Sequence, residues 1–84
     1  MFSYKTNGVC ASTINLEIVD DTIQSIEFIG GCNGNLQGIS HLVQGMKVND
    51  VIEKLIGIHC GKRSTSCPDQ LSLALIEWKK QNNR

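Results

Sequence analysis

"TINLEIVDD", residues 13–21, alternates apolar and polar side chains before it ends in two aspartates. On an extended chain, Ile14, Leu16 and Ile18 fall on one face, and Asn15 and Glu17 fall on the other. This period of two is typical of a strand with one buried face. The aspartate pair that follows favours a tight turn. The segment therefore predicts that the chain begins as an antiparallel sheet.

Two further strands are predicted on either side of this segment. The stretch SIEFIGG, residues 25–31, places Ile26 and Phe28 on one face and Glu27 on the other. An earlier short strand near FSYKT, residues 2–6, is followed by Asn7-Gly8, a strong signal for a two-residue hairpin turn. Three strands joined by tight turns predict an antiparallel meander.

The second half of the chain changes to steps of three and four residues, which predict amphipathic helices. The first helix is expected to end near Gly45. The second is expected to begin at a capping box of Asp50 and Glu53 and to end at Gly57. Their apolar positions are Leu36, Ile39, Leu42, Val43 and Met46 in the first helix, and Val51, Ile52, Leu55 and Ile56 in the second.

A third helix has the clearest start. Either Ser66 or Cys67 can cap it, and Pro68 suits its first turn. Strands followed by helices predict an α+β fold, a three-stranded antiparallel meander followed by three helices packed on one face. The apolar positions of the third helix are Leu71, Ala74, Leu75 and Trp78.

The composition excludes several classes of function. The 84 residues include eight basic and eight acidic side chains, so the net charge is zero and we expect no nucleic-acid partner. The apolar runs are far shorter than the ~20 residues of a membrane span, and no signal peptide is recognisable at the start. We therefore expect a cytoplasmic protein. No base–nucleophile pair stands out, so we expect no independent enzymatic activity.

All four cysteines fall at junctions between predicted elements. Cys10 opens the second strand, Cys32 lies in a glycine-rich stretch before the first helix, Cys60 follows the second helix and Cys67 begins the third. Buried structural cysteines normally lie within apolar faces. The unpaired N–H groups of helix N-termini also favour the thiolate form, which binds metals. Junction placement therefore favours metal ligands over core cysteines.

Zinc takes four nitrogen or sulfur ligands, and the four cysteines with His59 could supply them. No C-x-x-C spacing is present, so such a site would be assembled from distant loops. Two alternatives remain open from the residues alone. Cys60 and Cys67 could form a redox disulfide, and Lys62 with Arg63 could bind an anion near a helix N-terminus.

The stretch HCGKRSTSCPDQL, residues 59–71, resembles the signature of the TSCPD domain, which takes its name from residues 65–69. Together with GGCNGN, residues 30–35, it makes the chain similar to small stand-alone members of that family. The resemblance implies a single TSCPD domain over residues 1–84. A related domain occurs near the C-terminus of adenosylcobalamin-dependent ribonucleotide reductases. The resemblance therefore implies a role as an accessory of ribonucleoside-diphosphate reduction, with a reductase as partner.

The order of features also resembles NifU/IscU-type iron–sulfur scaffold proteins, and so a SufE/NifU-like fold. The matching features are Cys10 after a glycine turn, Cys32 in a Gly-Cys stretch, the VQGMK run at residues 43–47, and the pair His59-Cys60. This resemblance implies that Cys10, Cys32 and Cys60 converge on one site, with Cys67 or His59 as fourth ligand. The cofactor would be zinc or an iron–sulfur cluster.

The chain departs from the scaffold family at two places. Ser12 stands where that family carries an acidic residue, and the scaffold family lacks the Cys67 loop. A fourth thiolate favours a stably held ion over a cluster that is assembled and released. A role in iron–sulfur assembly or sulfur transfer, with a cysteine desulfurase as partner, is the remaining alternative.

Overall fold

The computed structural model describes residues 1–31, 33–59, 61 and 64–84. The strands are β1, Phe2–Lys5, β2, Ala11–Val19, and β3, Thr22–Gly30; the helices are α1, Asn33–Val43, α2, Val48–Leu55, and α3, Cys67–Gln81. The strands form an antiparallel sheet in the order β1-β2-β3. The α+β fold and the meander predicted from the sequence are confirmed. The predicted site residues Cys32, Cys60, Lys62 and Arg63 lie outside the described residues.

The turn between β2 and β3 has the predicted two residues. Val19 pairs with Thr22, and Asp20 and Asp21 have φ angles of 53° and 60°. Positive φ at both central residues is the geometry of a type I′ turn, whose twist matches that of the flanking strands. Aspartate tolerates this left-handed backbone better than most residues do.

One face of the sheet is apolar and the other is polar. Leu16 pairs with Phe2 on one side and with Ile26 on the other, and Ile14 pairs in the same way with Tyr4 and Phe28. A β-bulge at Gln24 shifts the alternation by one residue, so Ile23 joins the buried face. On the opposite face a polar row crosses the strands, from Ser3 to Asn15 and from Asn15 to Glu27.

The helices cover the apolar face. The buried core joins residues of β2, β3 and all three helices, and the half-buried Trp78 packs against it as its helical spacing predicts. Helices on one face of a sheet give a two-layer arrangement with one core. The core residues are Ile14, Leu16, Ile23, Val43, Val48, Val51, Leu71, Ala74 and Leu75.

The predicted two-residue turn at Asn7-Gly8 is wrong. Residues 6–10 form a five-residue connection between β1 and β2. Thr6 closes this loop through hydrogen bonds to β2, with its N–H donating to Ser12 O at 3.1 Å and its hydroxyl donating to Ala11 O. Gly8 has a φ of 72°, so it supplies the left-handed residue inside a longer loop.

The predictions for α1 and α2 need four corrections. Leu42 is exposed, and Met46 lies beyond α1, which ends before Gly45. Ile56 is exposed and lies just beyond the end of α2. Asp50 does not cap α2, because the helix already begins at Val48. The Val48 N–H donates to the Asp21 carbonyl at 2.8 Å, so contact with the β2–β3 turn sets the helix start.

Candidate functional site

Ser66 is the N-cap of α3 and connects that helix to the segment after α2. Its Oγ accepts a hydrogen bond from the Asp69 N–H at 3.1 Å, which satisfies a backbone donor of the first turn. The same hydroxyl donates to the Ile58 carbonyl at 2.6 Å. Of the two caps predicted, Ser66 is therefore the one used, and Cys67 becomes the first helical residue.

Both carboxylate oxygens of the buried Asp69 accept hydrogen bonds from neighbouring segments. Oδ1 accepts from the Gly57 N–H at 2.7 Å, and Oδ2 accepts from Thr65 Oγ1 at 2.6 Å. Charge-assisted bonds of this kind are about twice as strong as neutral ones. Asp69 thus ties the end of α2 to the start of α3, which is a structural role.

Gln70 extends this network to the β1–β2 loop. Its buried side-chain amide donates to Thr65 Oγ1 at 3.0 Å and accepts from the Asn7 N–H at 3.1 Å. The loop also approaches Thr65 directly, because a Cβ added to Gly8 would lie 3.4 Å from Thr65 Cγ2. The residues just before Cys10 are therefore held against the residues just before Cys67.

The end of β3 lies against the beginning of β2. A Cβ on Gly31 would lie 3.0 Å from the Ala11 nitrogen and 2.7 Å from Leu36 Cδ1, so only glycine fits there without a shift. A Cβ on Gly30 would lie 3.6 Å from the Cys10 carbonyl oxygen. The residues just before Cys32 in the sequence are therefore packed beside Cys10.

Three connections consequently meet at one end of the sheet, which we call the loop end: residues 6–10, residues 30–31 and residues 57–59 with 64–67. Cys10 is exposed and Cys67 is half-buried at the first turn of α3. His59 is exposed and directly follows the segment that Ser66 and Asp69 hold. The structure thus brings together the described residues that neighbour each predicted ligand.

The described residues alone do not form a complete set of metal ligands. In the ranges 1–31, 33–59, 61 and 64–84, no three histidine, cysteine, aspartate or glutamate side chains lie close enough to hold an ion. Two of the four predicted cysteines, Cys32 and Cys60, lie outside these ranges. The four-cysteine site and the anion site at Lys62 and Arg63 therefore stay predictions.

The sequence patterns did not predict the roles of Thr65 and Gln70. The sequence offers one signal, for Gln70, which is a polar residue next to the apolar Leu71 near the start of α3. The structure shows that Gln70 is buried there. A buried amide needs hydrogen-bond partners. One of its partners, Asn7, lies on another loop, 63 residues away. Spacing along the chain cannot give that pairing.

Among the described residues, no helix is long and apolar enough to pass through a bilayer. In a comparison with sequence models of protein families, residues 2–79 match the TSCPD domain. Comparison with curated proteins and with solved structures finds no match. The matched range includes all three connections of the loop end.

Proposed function

Because the chain belongs to the TSCPD domain family, we propose that it is a small metal-binding module whose site lies at the loop end. The proposed ion is zinc, with an iron–sulfur cluster as the alternative. The module has no catalytic activity of its own. The proposed ligands are Cys10, Cys32, Cys60 and Cys67, with His59 as the alternative to Cys67.

The observation that carries this proposal is the way in which separate segments are tied together beside the cysteines. Gln70 binds the loop before Cys10, and Ser66 and Asp69 bind the segment before His59. Gly31 packs against Ala11 at the end of β3. A site assembled from distant loops needs such cross-connections, because no C-x-x-C pair supplies two ligands from one turn.

The different roles of the residues in the TSCPD signature also support the proposal. Thr65, Ser66 and Asp69 use their side chains in hydrogen bonds that fix the backbone, and Pro68 lies in the first turn of α3. Both carboxylate oxygens of Asp69 already accept hydrogen bonds, from Gly57 and Thr65. Cys67 is the member of the signature left to supply a soft ligand, and thiolates are ligands that zinc and iron–sulfur clusters prefer.

The donor set suits a structural ion. Four thiolates, or three thiolates and an imidazole, are sets that close a tetrahedral zinc site. Zinc bound there would link the three connections of the loop end. That link matters in a chain of 84 residues, since a core of this size has little stability to spare.

The test is metal analysis of protein purified without chelator, followed by cobalt substitution. We expect about one ion per chain, and cobalt absorption bands typical of thiolate coordination. Cys10→Ser and Cys67→Ser should each weaken those bands and lower metal affinity. A brown protein containing iron and sulfide in place of zinc would identify the cluster alternative.

Ser66→Ala is the matched control, because it weakens the start of α3 while keeping every thiol. Loss of the cap and of the bond to Ile58 should cost about 1–2 kcal/mol of stability and lower metal affinity, but at saturating metal the cobalt bands should match those of the wild type. Protein that contains no metal, or Cys67→Ser protein with wild-type cobalt bands, would contradict the respective assignments. In the second case His59 becomes the expected fourth ligand, and His59→Ala tests it.

A second candidate, sulfur transfer, is favoured by the exposure of Cys10. In this reaction the Cys10 thiolate attacks the outer sulfur of a persulfide on a cysteine desulfurase. A new S–S bond forms on Cys10, the S–S bond of the donor breaks, and the donor leaves as a thiolate. Mass spectrometry after incubation with a desulfurase and cysteine should show one added sulfur on Cys10. No added sulfur under conditions that load a known acceptor would exclude this candidate.

A further inference from the structure

A groove of about 630 Å³ lies between the outer edge of β3 and α1. Its floor is apolar, with Ile26, Phe28 and Leu36, and its rim is polar, with Gln37, Ser40 and His41. It reaches Gly30 and Gly31, so one end of the groove opens at the loop end. We call this space the β3 groove.

Within the described residues, β3 is an edge strand that is paired on its outer side only at its beginning. The Ile23 N–H donates to the Met46 carbonyl at 2.9 Å, and the Ile23 carbonyl accepts from the Gly45 N–H at 2.8 Å. Thr22 forms an antiparallel bridge with Lys47. The chain after α1 therefore occupies the position of a fourth strand for a few residues and then turns away into α2.

The rest of the edge presents backbone groups toward the groove. The Ile29 carbonyl accepts a hydrogen bond from Ser12 of β2 at 3.2 Å, so it faces β2. Backbone direction alternates along an antiparallel strand, so Phe28 and Ile26 direct their N–H and C=O groups to the other side. No backbone hydrogen bond between described residues joins either of them to a strand on that side.

Proteins usually protect such an edge with lysine, proline or a covering segment. From Ser25 to Gly30 the strand has neither lysine nor proline, and its one charged residue is Glu27. The bulge within β3, at Gln24, comes before this stretch, and the second irregularity, between Ala11 and Thr13, places its extra residue in β2 opposite Ile29 and Gly30. The open part of the edge thus keeps the regular geometry that a further strand requires.

We propose that the β3 groove binds an extended segment of a partner polypeptide, which adds to the sheet as a fourth strand beside β3. Main-chain hydrogen bonds from Ile26 and Phe28 hold the segment, and every second side chain of it enters the apolar floor. Strand addition between a sheet edge and a helix is a known mode of peptide recognition. The inference does not depend on a bound metal.

The geometry favours a single strand over a second copy of this chain. Residues 45–47, the turn after α1, already show that a single segment of chain can form backbone hydrogen bonds with this edge. Helix α1 bounds the groove on its other side, so the space between β3 and α1 admits a single strand. The β3 of a second copy would bring its own α1, for which the groove has no room. A segment that runs along β3 toward Gly30 would also arrive beside the loop end.

The test uses isotope-labelled full-length protein and a short capped peptide that alternates threonine and valine, with a lysine at each end for solubility. Amide hydrogen exchange should slow at Ile26 and Phe28 on addition of the peptide. It should change little at Glu27 and Ile29, whose backbone groups already face β2. The same peptide with N-methylated valines lacks half of its donors and should bind at least about tenfold more weakly.

Two substitutions at exposed positions of α1 separate binding in the groove from nonspecific binding. Gln37→Arg extends a long charged side chain over the groove and should lower peptide affinity about tenfold. Asn35→Arg adds the same charge at an exposed position outside the groove and should leave affinity unchanged. Equal binding of the N-methylated peptide, protection centred elsewhere, or equal effects of the two variants would overturn the proposal. So would a peptide-free dimer that already protects Ile26 and Phe28.

Discussion

Asp69, in the first turn of α3, accepts a hydrogen bond from the backbone N–H of Gly57, with 2.7 Å between Oδ1 and N. Gly57 follows the end of α2, and its φ of 84° turns the chain away from that helix. The acid of the TSCPD signature therefore fixes where the preceding helix ends. Since Thr65 donates to the second oxygen, the carboxylate joins two segments that flank Cys60 in the sequence.

Replacing Asp69 with asparagine should destabilise the protein because the amide nitrogen cannot accept the bond from Thr65. We expect a loss of about 1–3 kcal/mol in the free energy of unfolding, measured by urea denaturation. The dependence of that free energy on urea concentration should not change. Asp50→Asn is the matched control, because Asp50 is an exposed acid in the first turn of α2. It should lose only the favourable interaction with the helix dipole, about 0.3–1 kcal/mol. Equal losses in the two variants would contradict the structural role of Asp69.

The close approach at Gly31 gives a second test. Gly31→Ala should cost more stability than Gly45→Ala, although the φ angles are nearly the same, 85° and 88°. Both substitutions carry the strain of a left-handed backbone, about 1–2 kcal/mol. Only the methyl group at position 31 would meet Leu36 and Ala11, whereas the one at position 45 meets no described atom within 4 Å.

Thermal or urea unfolding of the two variants measures the difference, which we expect to be about 1–3 kcal/mol from overpacking. The Gly31→Ala protein should also show altered amide shifts in β2 near Ala11. A smaller loss at position 31 than at position 45 would show that the two strand ends are not in close contact.

The elements that the sequence predicted correctly are those with local causes. The β2–β3 hairpin follows from alternation within each strand and from two turn residues between them. The start of α3 follows from Ser66 and Pro68 within one turn. In each case the residues that decide the structure lie next to one another in the chain.

The errors arose where a distant contact decides the local structure. Asn7-Gly8 forms a longer loop because the Asn7 N–H pairs with Gln70, far along the chain. The start of α2 moves to Val48 because its N–H pairs with Asp21 in the β2–β3 turn. The same limit applies to the candidate site: the cysteines stand out in the sequence, but Thr65 and Gln70, which tie their loops together, do not.

The last prediction concerns Gln70, which connects the β1–β2 loop to α3. Gln70→Leu keeps much of the side-chain volume but removes the bonds to Asn7 and Thr65. The amide of Asn7 should then exchange its hydrogen about two- to tenfold faster, since losing one hydrogen bond costs about 0.5–1.5 kcal/mol. Amides of the buried β2 core should exchange as in the wild type after correction for any change in global stability.

Gln81→Leu is the control, because it makes the same change at an exposed position at the end of α3. It should leave the exchange rate of Asn7 unaltered. If the proposed metal site exists, Gln70→Leu should also weaken metal binding without removing a ligand, because Cys10 would no longer be held toward α3. Unchanged exchange at Asn7 in Gln70→Leu protein would show that the loop is held by other contacts. The contact between Gly8 and Thr65 would then be the one that holds the β1–β2 loop to the start of α3.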